Sequence, residues 1–158
     1  MKMLTASIAV LLVLTFVSGA FAEDSQEQTQ QDKQDQVLMA VQQICPVTGN
    51  KLGTHGTPVK VTVGEQKEKI FLCCKGCLKG KLDAKHWATI HANFRKAQGK
   101  CPVMKNPINE KSKWVVVDGR VIYVCCPPCI DKIKAEPEKY IKQVDEYYAE
   151  SLEEEKEE

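Results

Sequence analysis

The strongest constraint on this chain is a cysteine pattern that occurs twice. Cys73-Cys74-Lys75-Gly76-Cys77 is matched by Cys125-Cys126-Pro127-Pro128-Cys129, and each follows an apolar run, Ile70-Phe71-Leu72 or Val121-Ile122-Tyr123-Val124. Well upstream of each stands a Cys-Pro-Val, at Cys45-Pro46-Val47 and Cys101-Pro102-Val103. The pattern uses all eight cysteines, four per copy. A chain built this way has to bring distant sulfurs together, and its function is expected to rest on them.

The first residues read as a secretory signal. Lys2, an uncharged apolar stretch from Leu4 to Val17 and the small residues of Ser18-Gly19-Ala20-Phe21-Ala22 predict cleavage after Ala22. The competing reading is an uncleaved anchor, since about 20 apolar residues span a bilayer; the Ala-x-Ala ending favours processing. No cysteine stands at the cleavage point to carry a lipid. The mature chain is therefore expected to be exported, periplasmic or secreted, with no membrane attachment after cleavage. Losing residues 1–22 with Lys2 takes the formal net charge from +1 to zero. That balance argues against nucleic acid, which needs a concentrated basic face. Aromatic residues make up only 6% of the chain. This points away from one large core and toward two small modules, each stapled by metal or disulfides.

Residues 23–40 are dominated by Gln, Asp, Glu and Lys and predict a flexible polar linker, with Val37 to Val41 opening an apolar patch at its end. The first cysteine-rich module then covers 41–98 and the second 99–149, leaving an acidic tail over 150–158. In the first module Val59-Lys60-Val61-Thr62-Val63 alternates as a half-buried strand, and Lys69 to Leu72 returns as its partner. In the second, Trp114 to Val117 and Val121 to Val124 flank Asp118-Gly119, a type I′ hairpin signal. Asp83 is a candidate N-cap for a helix over Ala84 to Ala97, and Pro137 suits the first turn of another. Each module thus runs cysteine, loop, hairpin, cysteine cluster, helix, an α+β arrangement given twice.

Thiolates are soft ligands, suited to zinc, copper(I) and iron–sulfur clusters. A structural zinc site takes four ligands, often including a Cys-x-x-Cys pair. Cys74–Cys77 and Cys126–Cys129 have that spacing at strand-to-helix junctions; Cys45 and Cys101 are natural further ligands, and Cys73 and Cys125 could complete each set. Leu78 and Ile130 stand where haem attachment needs histidine. His55, His86 and His91 read as structural or surface residues, and the helical stripes around Trp87 and Tyr140 as packing. Met104 offers a thioether suited to copper(I), though methionine more often packs. Two readings compete with metal binding. Exported cysteines can form structural disulfides, and Cys126-Pro127-Pro128-Cys129 could serve a thiol oxidoreductase. The repeat is too short for a thioredoxin-like scaffold. No carboxylate pair, Ser-His-Asp set or phosphate loop accompanies the cysteines, so no enzyme activity is expected.

The second copy, Gly119-Arg120-Val121-Ile122-Tyr123-Val124-Cys125, then Cys129, then Pro137-Glu138-Lys139-Tyr140-Ile141, resembles the YHS and TRASH-type heavy-metal-binding domains. The first copy is similar through Phe71, Cys73 and Cys77, with Trp87 in place of the tyrosine. The resemblance covers about residues 45–142. It implies small treble-clef-like modules and a soft or borderline metal, zinc or copper, with Cys73, Cys77, Cys125 and Cys129 as ligands in a Cys-x-x-x-Cys frame. The family opens Asp-Pro-Val-Cys-Gly; here Cys45 and Cys101 replace the Asp, while Thr48 and Met104 occupy the cysteine position. The inner Cys74 and Cys126 are additional, so all eight sulfurs stay candidates. The acidic, Tyr-bearing C-terminal helix is the candidate surface for a protein partner.

Overall fold

The computed structural model describes residues 22–157; the signal segment and its cleavage site lie outside them or at their edge. Among the described residues, four helices and two separate two-stranded antiparallel sheets make a mixed α+β architecture. Helix α1 is Ala22–Gln42, strands β1 and β2 are Val59–Val63 and Glu68–Leu72, and a 3-10 turn covers Lys75–Lys79. Helix α2 (Ala84–Gln98), strands β3 (Lys113–Val117) and β4 (Arg120–Val124), and helices α3 (Pro128–Ala135) and α4 (Pro137–Glu157) follow.

The hairpins form as their residues dictate. β1 pairs with β2 from Val59↔Leu72 to Val63↔Glu68, and β3 with β4 from Lys113↔Val124 to Val117↔Arg120. Asp118 and Gly119 both take positive φ, 49° and 84°, as the type I′ turn demands. Helix α2 starts where expected: the Asp83 carboxylate accepts from the Lys85 and His86 N–H groups at 2.9 and 3.0 Å.

Two expectations are corrected. The stretch 23–40 is helical, not a flexible linker, and it continues into the first module as α1. Its upstream residues are polar but include no Gly or Pro, and its last turns bury Leu38 and Val41 against the core. Tertiary packing of that end supplies what helix propensity alone does not. Lys60 of β1 also pairs with Asp35 at 2.7 Å.

The second correction concerns the core. One cluster joins Leu38 and Val41 of α1, Phe71, Ile90 and Phe94 of the first repeat, and Val115, Tyr123, Val144 and Tyr148 of the second. Two independent modules cannot share such a core. Helix α2 explains it, because it closes the first repeat and opens the second. Phe94 stacks on Tyr148 with ring centroids 6.1 Å apart. His91 bridges the hairpins: its Nε2 lies 3.2 Å from the Glu68 carboxylate and its Nδ1 2.8 Å from the Tyr123 hydroxyl, which donates to the His91 carbonyl at 2.9 Å. A main-chain bond from Lys69 N–H to the Gly119 carbonyl (2.8 Å) ties the same two hairpins. No helix among the described residues is long and apolar enough to cross a membrane.

Candidate metal centres

Each repeat builds its cysteine site from two turns and a latch. The first turn is the Cys-Pro-Val segment. Cys45 N–H donates to the Asn50 carbonyl and Gly49 N–H to the Cys45 carbonyl, at 2.8 and 2.9 Å. Cys101 does the same with Asn106 and Lys105, both at 2.8 Å. Gly49 and Lys105 occupy equivalent left-handed positions, φ 73° and 60°. The second turn follows β2 or β4, where Cys77 N–H donates to the Cys74 carbonyl and Cys129 N–H to the Cys126 carbonyl, each at 3.2 Å.

The latch is a buried glutamine. Gln42, the last residue of α1, donates from Nε2 to the Phe71 carbonyl at 2.7 Å and accepts from Phe71 N–H at 2.8 Å. Gln98, the last residue of α2, does the same to Tyr123, both bonds at 2.8 Å. Each also donates to the carbonyl two residues ahead, Ile44 or Lys100. Each helix end thereby fixes the strand that delivers a cysteine pair against the turn that delivers the distant cysteine. The residue after each glutamine, Gln43 or Gly99, has φ near 60° and turns the chain out of the helix. These glutamines were absent from the candidate residues read from sequence. The signal existed: Gln-x-x-Cys-Pro-Val stands at both 42–47 and 98–103.

The result is two sets of three sulfurs. The Sγ atoms of Cys45, Cys73 and Cys77 all lie within 4.8 Å of one another, as do those of Cys101, Cys125 and Cys129. Within them, Cys73 and Cys77 stand 3.5 Å apart and Cys125 and Cys129 4.0 Å. A metal–sulfur bond of about 2.3 Å in a tetrahedron sets sulfur–sulfur edges near about 3.8 Å, so both sets are already close to ligand spacing. All eight cysteines are free thiols. These are the outer Cys-x-x-x-Cys frames, not the inner Cys-x-x-Cys pairs. Cys126 stands beside its set, 3.2 Å from Cys129 and 3.9 Å from Cys125, and Cys74 occupies the matching place in the first repeat.

The surroundings prepare one sulfur of each set to ionise. Burial raises the Cys45 thiol, but N–H groups of Cys73, Thr48 and Val47 and the Thr48 hydroxyl outweigh it and bring its pKa down to about 7. Cys101 is lowered in the same way: burial opposes, while N–H groups of Cys125, Met104 and Val103 prevail. Cys77 and Cys129 resist a second negative charge nearby. Burial, then Cys73 and Cys45, push Cys77 up to about 12, and burial with Cys126 and Cys101 raises Cys129. Thr48 Oγ1 reaches Cys73 Sγ at 3.6 Å, and the Asn106 amide reaches Cys125 Sγ at 3.9 Å. A thiol whose ionisation is opposed by burial and by a neighbouring thiolate is what a bound cation relieves.

Comparison with known protein families, curated proteins and solved structures gives no match. The site therefore stands on its own geometry.

The two centres are set differently in the fold. Cys45, Cys73 and Cys77 form a small apolar cluster of their own with Leu72, whereas Cys101 and Cys129 belong to the main core. The histidines stay outside both sets. His91 serves the bridge between hairpins, and the His86 ring lies over Gly49, where an added Cβ would sit 2.5 Å from Nε2. Met104 is 52% exposed and makes no part of either set.

Proposed function

We propose that this chain is an exported metal-binding protein that holds a soft or borderline ion, zinc or copper, by cysteine thiolates in each of its two repeats. One observation carries the reading: sulfurs far apart in sequence converge to mutual distances under 4.8 Å, and they do so twice. The resemblance to YHS and TRASH-type domains agrees with it, including the treble-clef-like course of each repeat and the outer frames of Cys73 with Cys77 and Cys125 with Cys129. The donors suit the metal class, since thiolates select zinc and copper(I) over hard ions. The role proposed is binding rather than catalysis, with a protein partner received on α4, and the signal segment sends the chain to the periplasm or the exterior.

The thiol–disulfide reading keeps one supporting observation: Cys126 and Cys129 approach to 3.2 Å at the start of α3. Metal content and free-thiol count on the purified exported protein separate the two. The metal reading expects about two equivalents of ion with thiols that become reactive on chelation. No metal and no free thiol would replace it with disulfides, and reduction of a protein disulfide substrate would favour the oxidoreductase.

A further inference from the structure

Each repeat has one sulfur more than its mutually close set, and that sulfur is placed differently. Cys45 and Cys101 have no exposed surface, and Cys73, Cys77 and Cys129 show at most 7%. Cys74, Cys125 and Cys126 are part-exposed, and of these Cys74 and Cys126 lie outside the mutually close sets. Cys126 reaches the buried Cys129 at 3.2 Å and Cys125 at 3.9 Å, yet lies outside the set completed by Cys101. Such a sulfur touches solvent on one side and the holding sulfurs on the other. A resident fourth ligand would need comparable proximity to all three.

Resting on the metal-binding reading above, we propose that Cys74 and Cys126 are transfer ligands, through which the ion enters and leaves each three-sulfur set. On entry the Cys126 sulfur bonds the incoming ion as its proton leaves to water, and the bond to the carrier's donor atom breaks. Cys129 and Cys125 then bond the ion, each losing its proton to water. Cys101 completes the set, any proton on its sulfur leaving to water; the bond to Cys126 breaks, and that sulfur takes a proton back from water. Release runs the same steps backward to an acceptor ligand. No electron moves, and the ion keeps its oxidation state. At every step it is bonded to at least one sulfur, so it is never released bare from the pocket. Cys74 plays the same part in the first repeat, where it packs against the cluster of Cys45, Cys73 and Cys77.

The test uses the full reduced mature chain loaded with zinc and mixed rapidly with excess 4-(2-pyridylazo)resorcinol as acceptor. Cys126→Ser and the Cys74→Ser/Cys126→Ser double variant are each expected to hold two equivalents. Transfer should slow by about tenfold or more, for half of the bound zinc in the first variant and for all of it in the second, since such changes act on off-rates. Iodoacetamide mapping of the loaded wild type needs no variant: Cys74 and Cys126 should alkylate first while the other six cysteines stay protected. Loss of an equivalent from Cys126→Ser, or protection of all eight thiols, would make the fourth sulfur a resident ligand. Unchanged transfer rates would make it a bystander. Either overturns the proposal while leaving metal binding intact, whereas a wild type that takes up no zinc overturns both.

Discussion

Replacing Gln98 by leucine tests how the fold sets the second centre. The side chain is 1% exposed, and its amide satisfies both main-chain groups of Tyr123, two residues before Cys125. Leucine fills a similar volume but leaves the Tyr123 N–H and carbonyl buried without these partners. Each stranded group costs about 1–3 kcal/mol, so the two together cost about 2–6 kcal/mol. That is a large part of the about 5–15 kcal/mol that keeps a domain folded. Urea unfolding of reduced protein, compared at constant slope, reads the loss as a lower midpoint. The zinc affinity of the second centre should fall with it, because the strand carrying Cys125 is no longer fixed against the turn carrying Cys101. Gln98→Glu keeps the acceptor but sets a carboxylate against the Tyr123 carbonyl, and should be no milder. Gln42→Leu should repeat the effect at the first centre. A loss below about 1 kcal/mol for Gln98→Leu, less than one stranded group, would refute the latch.

Other consequences follow from the same geometry. Zinc affinity at the first centre should rise with pH. Cys77, near pKa 12, releases a proton on binding throughout the neutral range, which by itself contributes about tenfold per pH unit. As pH falls through the Cys45 value of about 7, that thiol must also be deprotonated by the ion, and the slope should steepen by about one further proton; competition titrations from pH 6 to 8 would show it, and a flat profile would contradict it. Phe94→Ala should cost about 3–5 kcal/mol and shift one cooperative unfolding transition, because the ring is shared between repeats; calorimetry showing two separate transitions would contradict the common core. Gly49→Ala should cost about 1–2 kcal/mol in backbone strain at φ 73° and displace the His86 ring, weakening zinc at the first centre while sparing the second, as metal content at limiting zinc would report.

Much of this molecule was legible in its residues. Both hairpins followed from alternation and from Asp118-Gly119, and α2 from its Asp83 cap. The cysteine turns announced where the chemistry lies, since no other residue type recurs so completely. The ligand frame was harder. Both Cys-x-x-Cys and Cys-x-x-x-Cys are readable in the same five residues, and only the convergence of Cys73 and Cys125 on Cys45 and Cys101 separates them. Helix α1 was hidden because its polar residues carry no periodic apolar face; the packing of Leu38 and Val41 creates it. The joint core was hidden for a related reason. Low aromatic content points to two small cores, but the few large rings, Phe94, Tyr123 and Tyr148, are concentrated at one junction. Gln42 and Gln98 carry no signal by residue type, because a glutamine at a helix end ordinarily faces solvent.

X-ray absorption at the metal edge of the loaded protein tests the central claim most directly. Two ions per chain, each with three or more sulfur neighbours at about 2.3 Å, is the expected result. A shell of only nitrogen and oxygen, or a single ion drawing sulfurs from both repeats, would contradict it.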